Sequence, residues 1–508
     1  MKQNQLKAGV VISYLNLLIG NIIPFIYTPI MLRLLGQAEY GLYGIANSVM
    51  GYIGLLNFGI GGTIVRYIAK YRTAGDADQE SRVVGLFVKV YSVIGILILA
   101  AGFVCASNVQ VFGRSLSGAE LDKLRILILL MTLNAGLILP FSVFTSIIIA
   151  HERHIFNKLV GLGTTVLSPL MNIVLLLLGF GSVGLVITST VLHIATYAIY
   201  TVYAVHNIGI RPSFQKTEDG LLREILKYSF FVFLASMVDT LYWATDKLII
   251  GWAKGTKDTA VYNVGATFNV YVTGLSSAIS GLLVPRLTQM AVKDASKEEF
   301  TNLFIKVGRL QFIIISFIVS AFVAFGRQFI ALWAGQEYSL SYYVALLTMI
   351  PVTIPLIQNT GINILYALNK HQFRSVVYSC VAVVNVVLTF WWVEEYGIVG
   401  AAMATCLAYV LGNILIINWY YHKKIGIDIP LFWKNICKMC PVMIVMGVVA
   451  WLILNKLVVN NWVVFFGCAA VYAVLYFVLA YRFMMNQYER DTIMVPVKRA
   501  LRKIRVMK

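Results

Sequence analysis

The chain returns repeatedly to apolar runs of about 20 residues, the length an α-helix needs to cross the hydrocarbon of a bilayer. They fall near 10–32, 42–65, 84–106, 124–149, 157–179, 183–205, 226–252, 259–284, 304–326, 342–367, 375–394, 398–420, 435–454 and 461–481. That makes about fourteen candidate membrane helices. Backbone amides cannot be left unpaired in lipid, so a chain of this pattern folds as helices that satisfy themselves. The fold class expected is an all-α membrane protein. Composition agrees: of 508 residues, 59% are hydrophobic and 12% charged, roughly half the charge share of a soluble chain. The net charge of +19 is spread over short loops, which argues against nucleic acid as a partner.

Charge orients the helices. With the N-terminus inside, roughly four-fifths of the 41 Lys and Arg fall on inner segments, a strong positive-inside bias. An even number of spans then puts both termini in the cytoplasm. The longest outer loop runs only from about Ser107 to Lys123, so no separate globular domain is expected. The first run is long, is interrupted by Pro24 and Pro29, and lacks a small-residue cleavage site, so no cleavable signal peptide is expected. The tail ends in KRALRKIRVMK; a polybasic anchor on anionic lipid and a plain solvated tail are both consistent with it. The six cysteines lie in or beside apolar runs and read as packing residues, Cys437-x-x-Cys440 included. No cofactor or metal is expected, and no Walker A motif is present.

The two halves echo each other. Tyr43, Ile45, Tyr52 and Ile53 of the second run line up with Tyr262, Val264, Tyr271 and Val272 of the eighth. Arg66 and Arg286 close those two runs at nearly the same place. HERHIFN (His151 to Asn157) matches NKHQFR (Asn369 to Arg374) through a His-x-Phe pair. Asn172 to Leu175 and Asn385 to Leu388 share Asn-x-Val-Leu, each followed by a glycine turn. A six-helix unit therefore occurs twice, about 215–220 residues apart. An even number of helices per copy implies a pseudo-twofold along the membrane normal. The expected division is 1–210 and 211–424 for two lobes, 425–482 for two further helices, and 483–508 for a basic cytoplasmic tail.

One run breaks the apolar rule. Leu226 to Trp252 carries Asp239 near its middle, then Asp246 and Lys247. Seven residues separate the carboxylates, which puts them on one helix face about 10 Å apart. That face should meet protein or a watery cavity, because a carboxylate in lipid is costly.

The layout resembles the multidrug/oligosaccharidyl-lipid/polysaccharide (MOP) exporter superfamily, and within it the polysaccharide-transporter, or Wzx-like flippase, branch. The residues that carry this are LGQAEYGLYG (Leu35 to Gly44), LLNFGIGGTIVRYIAKYR (Leu55 to Arg72) and DKLIIGWAKGTKDTAVYNVG (Asp246 to Gly265). FIALWAGQEY (Phe329 to Tyr338) and EEYGIVGAAMAT (Glu394 to Thr405) add to it. The resemblance implies twelve core helices in two lobes plus two more. It also implies movement of an undecaprenyl-pyrophosphate-linked oligosaccharide (an O-antigen, capsule or exopolysaccharide repeat unit) to the outer leaflet of a bacterial cytoplasmic membrane. Polysaccharide polymerase and glycosyltransferases are implied partners. Asn57 departs from the branch, whose members often carry an aspartate there.

Such a cargo needs donors for pyrophosphate, and arginine's bidentate fork suits it. Arg66 and Arg286 are the first candidates, with the plain positive-inside cap as the alternative. Arg33 is a third, with snorkelling to the interface as its rival reading. Asp239 is a candidate for proton or sodium coupling or for a purely structural bond; Asp246 and Lys247 read as a local ion pair or cap. Lys89 and Arg309 read as caps. His193 reads as an interhelical hydrogen bond before a proton relay. Asn263, Asn269, Gln358, Asn359 and Asn363, with Tyr262, Tyr271 and Tyr366, form a candidate sugar-facing lining or ordinary packing bonds. Pro24, Pro29, Pro351 and Pro355 should bend their helices. Glu394 and Glu395 have no catalytic partners.

The leading expectation is a flippase working by alternating access. A cation-coupled multidrug exporter, which would favour an acidic cavity, and a lipid II flippase are the near alternatives. A membrane glycosyltransferase or polymerase lacks the large outer loop it would need. A transporter, not an enzyme, is expected.

Overall fold

The computed structural model describes residues 2–218, 220–281, 287, 289–290, 296–368, 370, 372–454, 457 and 461–491. Arg286, Asn369, His371 and the tail after 491 lie outside the described residues, and so do the expectations placed on them. In the first half, α1 is Lys2–Leu35, α2 Gln37–Gly54, α3 Ile60–Ala74, α4 Ala77–Ser107 and α5 Gly118–Ile138. There follow α6 Ser142–Ala150, α7 His154–Leu177, α8 Gly181–Tyr203 and α9 Leu221–Lys254. The second half holds α10 Thr256–Gly281, α11 Lys297–Trp333, α12 Ser341–Ile357, α13 Asn359–Ala367 and α14 Gln372–Tyr409. Last come α15 Ile429–Cys437, α16 Cys440–Leu454 and α17 Trp462–Leu479.

Among the described residues the apolar runs of the sequence lie mostly on helix, and no strand occurs. By length and apolarity 9 helical stretches among them can cross a membrane, or 10 if the bent pair α12–α13 is one span. The difference from the sequence count has identifiable sources. Gln372–Ile425 is one helical stretch of 54 residues that covers two runs and turns at Gly397 (φ 58, ψ −141). Ile19–Leu35 counts as a shorter apolar helix. The polar-studded α9 and α10 are not among the spans found by that measure.

Helix starts follow local chemistry. Ser117 and Ser296 form capping boxes with Glu120 and Glu299. Asp76, Asp428 and Asn461 each accept a hydrogen bond from a backbone N–H three residues on, which satisfies an otherwise orphan donor.

Two compact units emerge. One gathers the chain up to Asn263 together with Phe390–Ile398; the other takes the remainder from Val264. In the first, α9 packs on α2 and α3, although the repeat in the sequence sets it at the head of the second lobe. Glycines make this approach possible. A Cβ on Gly41 would run into the backbone carbonyl of Thr256, and one on Gly44 into the Asn263 amide. Small residues of this kind let membrane helices pack at backbone distance. The second run is not one straight helix: Phe58 (φ 50) and Gly59 (φ 63) both adopt left-handed backbone, separating α2 from α3. Phe58 then meets Phe233 of α9 with ring centroids 5.1 Å apart.

Proline has unequal effects. Pro24 and Pro29 lie inside α1, which continues through them, and Thr28 Oγ donates to the Pro24 carbonyl at 2.7 Å. Pro351 and Pro355 precede a 44° bend between α12 and α13.

The internal repeat reappears as geometry at the same offset of about 215–220 residues. Phe156 stacks on Tyr203 (3.9 Å, 17°) and Phe373 on Tyr420 (4.2 Å, 15°). Gly181 (φ 56) and Gly397 (φ 58) make the paired turns. Each copy then ends in a π turn, Ala204–Ile208 or Tyr421–Ile425, stopped by left-handed Gly209 or Gly426.

Candidate functional site

On α3 the apolar side chains Ile60, Ile64 and Ile68, with Tyr67 and Tyr71, are buried. Arg66 and Lys70, one turn apart, stand exposed on the other side. The lysine ammonium lies 5.9 Å from the Tyr67 ring and 5.0 Å from the Tyr71 ring. Tyr71 donates to Glu218 Oε2 at 3.0 Å, and the Tyr67 phenol bonds to Glu224. A guanidinium and an ammonium spaced i, i+4 on an aromatic base can take a phosphate-type anion. Glu218 and Glu224 lower the net positive charge there below what the count of cations on this stretch suggests.

The two carboxylates of α9 part company. Asp246 is buried, 2% exposed, and accepts a hydrogen bond from Tyr262 Oη at 2.6 Å; next to it Thr245 bonds to Tyr52. Asp239, two turns earlier, is exposed. Sharing a helix face does not give equal surroundings: Tyr262 of α10 reaches Asp246. Tyr262 is thus a core residue in contact with a carboxylate. Arg33 ends α1 and is exposed.

The amide side chains mostly serve packing bonds. Gln358 is buried and donates to Asn418 Oδ1 at 2.7 Å. Asn359 donates to Ser280 Oγ at 2.9 Å, and Asn363 to the Ser280 carbonyl at 3.5 Å. Asn263 is buried against Gly44. Asn269 is fully buried, with neither amide atom hydrogen-bonded. Tyr271 is half-buried and Tyr366 exposed. His193 Nδ1 lies 3.4 Å from Asn134 Oδ1, the interhelical bond that its place on α8 suggests. The Asn57 Oδ1 is shielded and has no hydrogen-bond partner.

Other polar knots carry no signal in the sequence until the chain is folded. Glu39 meets Lys123 Nζ at 2.5 Å and the Ser182 backbone N–H at 2.6 Å, joining α2, α5 and α8. Glu80, 5% exposed, holds His151 Nε2 at 2.7 Å. Arg309 gives Glu489 two hydrogen bonds, 2.5 and 2.9 Å, and another to the Met484 carbonyl. The six cysteines are free thiols. Among the described residues no group of three or more His, Cys, Asp and Glu could hold a metal.

Comparison with known proteins adds to this geometry. A family model described as polysaccharide biosynthesis protein matches residues 6–291. A Shigella flexneri protein whose name assigns it O-antigen transport is 20% identical over 403 residues, 78% of this chain and 92% of its own length. The structure is similar to that of the lipid II flippase MurJ in an inward closed conformation. The TM-score is 0.72 at 14% identity, covering 96% of this chain and 99% of that one. It is also similar to an inward-facing multidrug resistance transporter of the MATE family in the MOP superfamily. There the TM-score is 0.64 at 15% identity, covering 84% of this chain and 99% of that one.

Proposed function

Because the chain belongs to the polysaccharide biosynthesis protein family and has the fold of MOP-superfamily transporters, we propose that it is a flippase for a lipid-linked oligosaccharide. It is a multi-pass membrane transporter rather than an enzyme. Its cargo is an undecaprenyl-pyrophosphate-linked repeat unit, carried from the inner to the outer leaflet of the bacterial cytoplasmic membrane by alternating access between two lobes. Both termini face the cytoplasm. The observation that supports this most is the exposed Arg66–Lys70 pair on its tyrosine base, a surface suited to pyrophosphate. Arg286 and Arg33 are further candidate donors to pyrophosphate in this reading, and Asp239, an exposed carboxylate in mid-helix, is the coupling residue for a proton or sodium ion. Tyr271, half-buried, contributes to the sugar lining. A polysaccharide polymerase receives the product.

The fold likeness to a lipid II flippase favours one second reading, transport of the peptidoglycan precursor. Flipping in proteoliposomes separates the two. Wild type, Arg66→Ala, Arg286→Ala and Asp239→Asn are compared with undecaprenyl-pyrophosphate oligosaccharide and with lipid II, with and without proton and sodium gradients. The proposal expects flipping of the oligosaccharide, loss in the arginine variants, and a gradient dependence that only Asp239→Asn removes. Flipping of lipid II alone overturns the cargo, and export of cationic drugs alone overturns the flippase.

A further inference from the structure

The two copies of the repeat agree in one ring stack and then diverge at positions beside it. In the first copy Asn157, next to the stacked Phe156, accepts a hydrogen bond from Tyr200 Oη at 2.7 Å. There the amide oxygen is taken up by a partner within the same copy. In the second copy the residue next to the stacked Phe373 is Arg374.

Its guanidinium lies 4.4 Å from the centroid of the Tyr378 ring, with Tyr421 and Tyr366 as further electrostatic neighbours. Tyr421 replaces the small Ala204 of the first copy, so the second has gained both a cation and aromatic walls. The Tyr378 phenol donates to Asn413 Oδ1. Asn413 sits in the π-helical stretch Val410–Ile417, an irregularity often found at functional sites. Asn418 Nδ2 donates to the Asn413 carbonyl at 3.3 Å, and Gln358 holds Asn418 in turn. The corner is therefore built and braced.

The guanidinium also hydrogen-bonds the Tyr378 side chain, yet two donors of the corner are left over: among the described residues neither Arg374 Nε nor Asn413 Nδ2, both shielded from solvent, has a hydrogen-bond partner, and Asn413 is 2% exposed. No ion pair found among the described residues engages Arg374. Tyrosine rings attract a cation without neutralising it. A shielded guanidinium N–H and a shielded amide N–H each cost free energy until an acceptor arrives.

We propose that Arg374, Asn413 and Tyr378 form a binding site for a phosphate-type anion, present in the second copy of the repeat only. Phosphate offers several acceptor oxygens to a planar fork and an adjacent amide, which a single-acceptor anion does not. The phosphate comes either from a pyrophosphate-linked substrate or from a phospholipid headgroup. The site shares no residue with the Arg66–Lys70 face, so it can fail while the flippase reading holds, and the reverse.

The test uses the full chain. Thermal unfolding in detergent is followed with rising inorganic pyrophosphate, and lipid retention is measured by native mass spectrometry after reconstitution with phosphatidylglycerol or phosphatidylcholine. The variants are Arg374→Asn, which installs the first copy's residue, Arg374→Lys, which keeps charge without the fork, and Asn413→Asp, which sets a carboxylate against the anion. Arg482→Gln, an exposed cation elsewhere in the same unit, is the control. The expected result is a saturable rise of a few degrees in wild type and Arg482→Gln, weaker in Arg374→Lys and absent in Arg374→Asn and Asn413→Asp. Preferential retention of phosphatidylglycerol, lost in the same variants without a response to pyrophosphate, assigns the site to a lipid headgroup. Should Arg374→Asn not fold, Arg374→Lys and Asn413→Asp decide the matter. Equal responses in wild type and the site variants, or no response to either anion, overturn the proposal.

Discussion

Arg66 and Arg309 occupy similar places in the sequence, near the end of an apolar run, where either reads as a positive-inside cap. Their structures differ. Arg309 has a side chain only 9% exposed, and Glu489, at 1%, faces it. Its remaining donors go to the carbonyls of Met484 and Asn435, so it clasps the last described turn of chain to α11 and α15. Arg66 stands exposed beside Lys70. A guanidinium locked to a carboxylate and two carbonyls in the interior is committed to architecture; one at the surface stays in contact with solvent. Sequence position cannot separate these fates, because the decisive partner of Arg309 lies 180 residues away.

The largest effect expected from breaking this contrast is at the clasp. Glu489→Ala leaves Arg309 shielded without its counter-charge and should cost about 3–5 kcal/mol of stability, read by thermal unfolding. The double variant Arg309→Met with Glu489→Leu should recover most of it, and an unchanged melting temperature for Glu489→Ala would show the clasp to be dispensable.

Glu80→Ala tests a second buried acid. It removes the bond to His151 and leaves the imidazole half-shielded, a loss of about 1–3 kcal/mol. Gly41→Ala sharpens the contrast differently, since it touches no charge. Its new Cβ has no room against Thr256, and α2 and α10 must shift at a cost of about 1–3 kcal/mol. Comparable melting of this variant and wild type would mean that the helices separate freely there.

The smallest effect on stability belongs to Arg66→Gln with Lys70→Gln. Exposed substitutions of this kind stay within about 0.5 kcal/mol, yet oligosaccharide flipping should fall at least tenfold in proteoliposomes. A large loss of stability with normal flipping of the folded fraction would make Arg66 a second Arg309 and erase the distinction.

Much of the fold is legible before folding. Among the described residues the apolar runs became mostly helix, because a lipid-facing backbone has no other way to satisfy its amides. The repeat seen in His-x-Phe, Asn-x-Val-Leu and paired glycines returned as matching ring stacks and matching left-handed turns at Gly181 and Gly397. The break at Phe58–Gly59 was not legible: it needs a non-glycine residue in left-handed backbone, which no local pattern announces. The candidate site is legible only in outline. Spacing put Asp239 and Asp246 on one face, but burial of the second depends on Tyr262 of another helix. Asn359 and Asn363 share a face as expected, and both go to Ser280, a partner that spacing within one helix cannot reveal.

By itself, then, the amino-acid order determined that this is an all-helical membrane protein, where most of its helices lie, that a set of local motifs recurs about 215–220 residues on, and the family resemblance. These properties follow from periodicity and local chemistry, which act over a few turns of chain. Only the tertiary structure decided which charges are spent. Glu489 neutralises Arg309, Glu80 holds His151, Tyr262 covers Asp246, and Arg374 lies against the Tyr378 ring with its Nε and the Asn413 Nδ2 unsatisfied among the described residues. The physical reason is that the cost of a charge depends on the partner and the screening it meets, and both are set by residues far away in the chain.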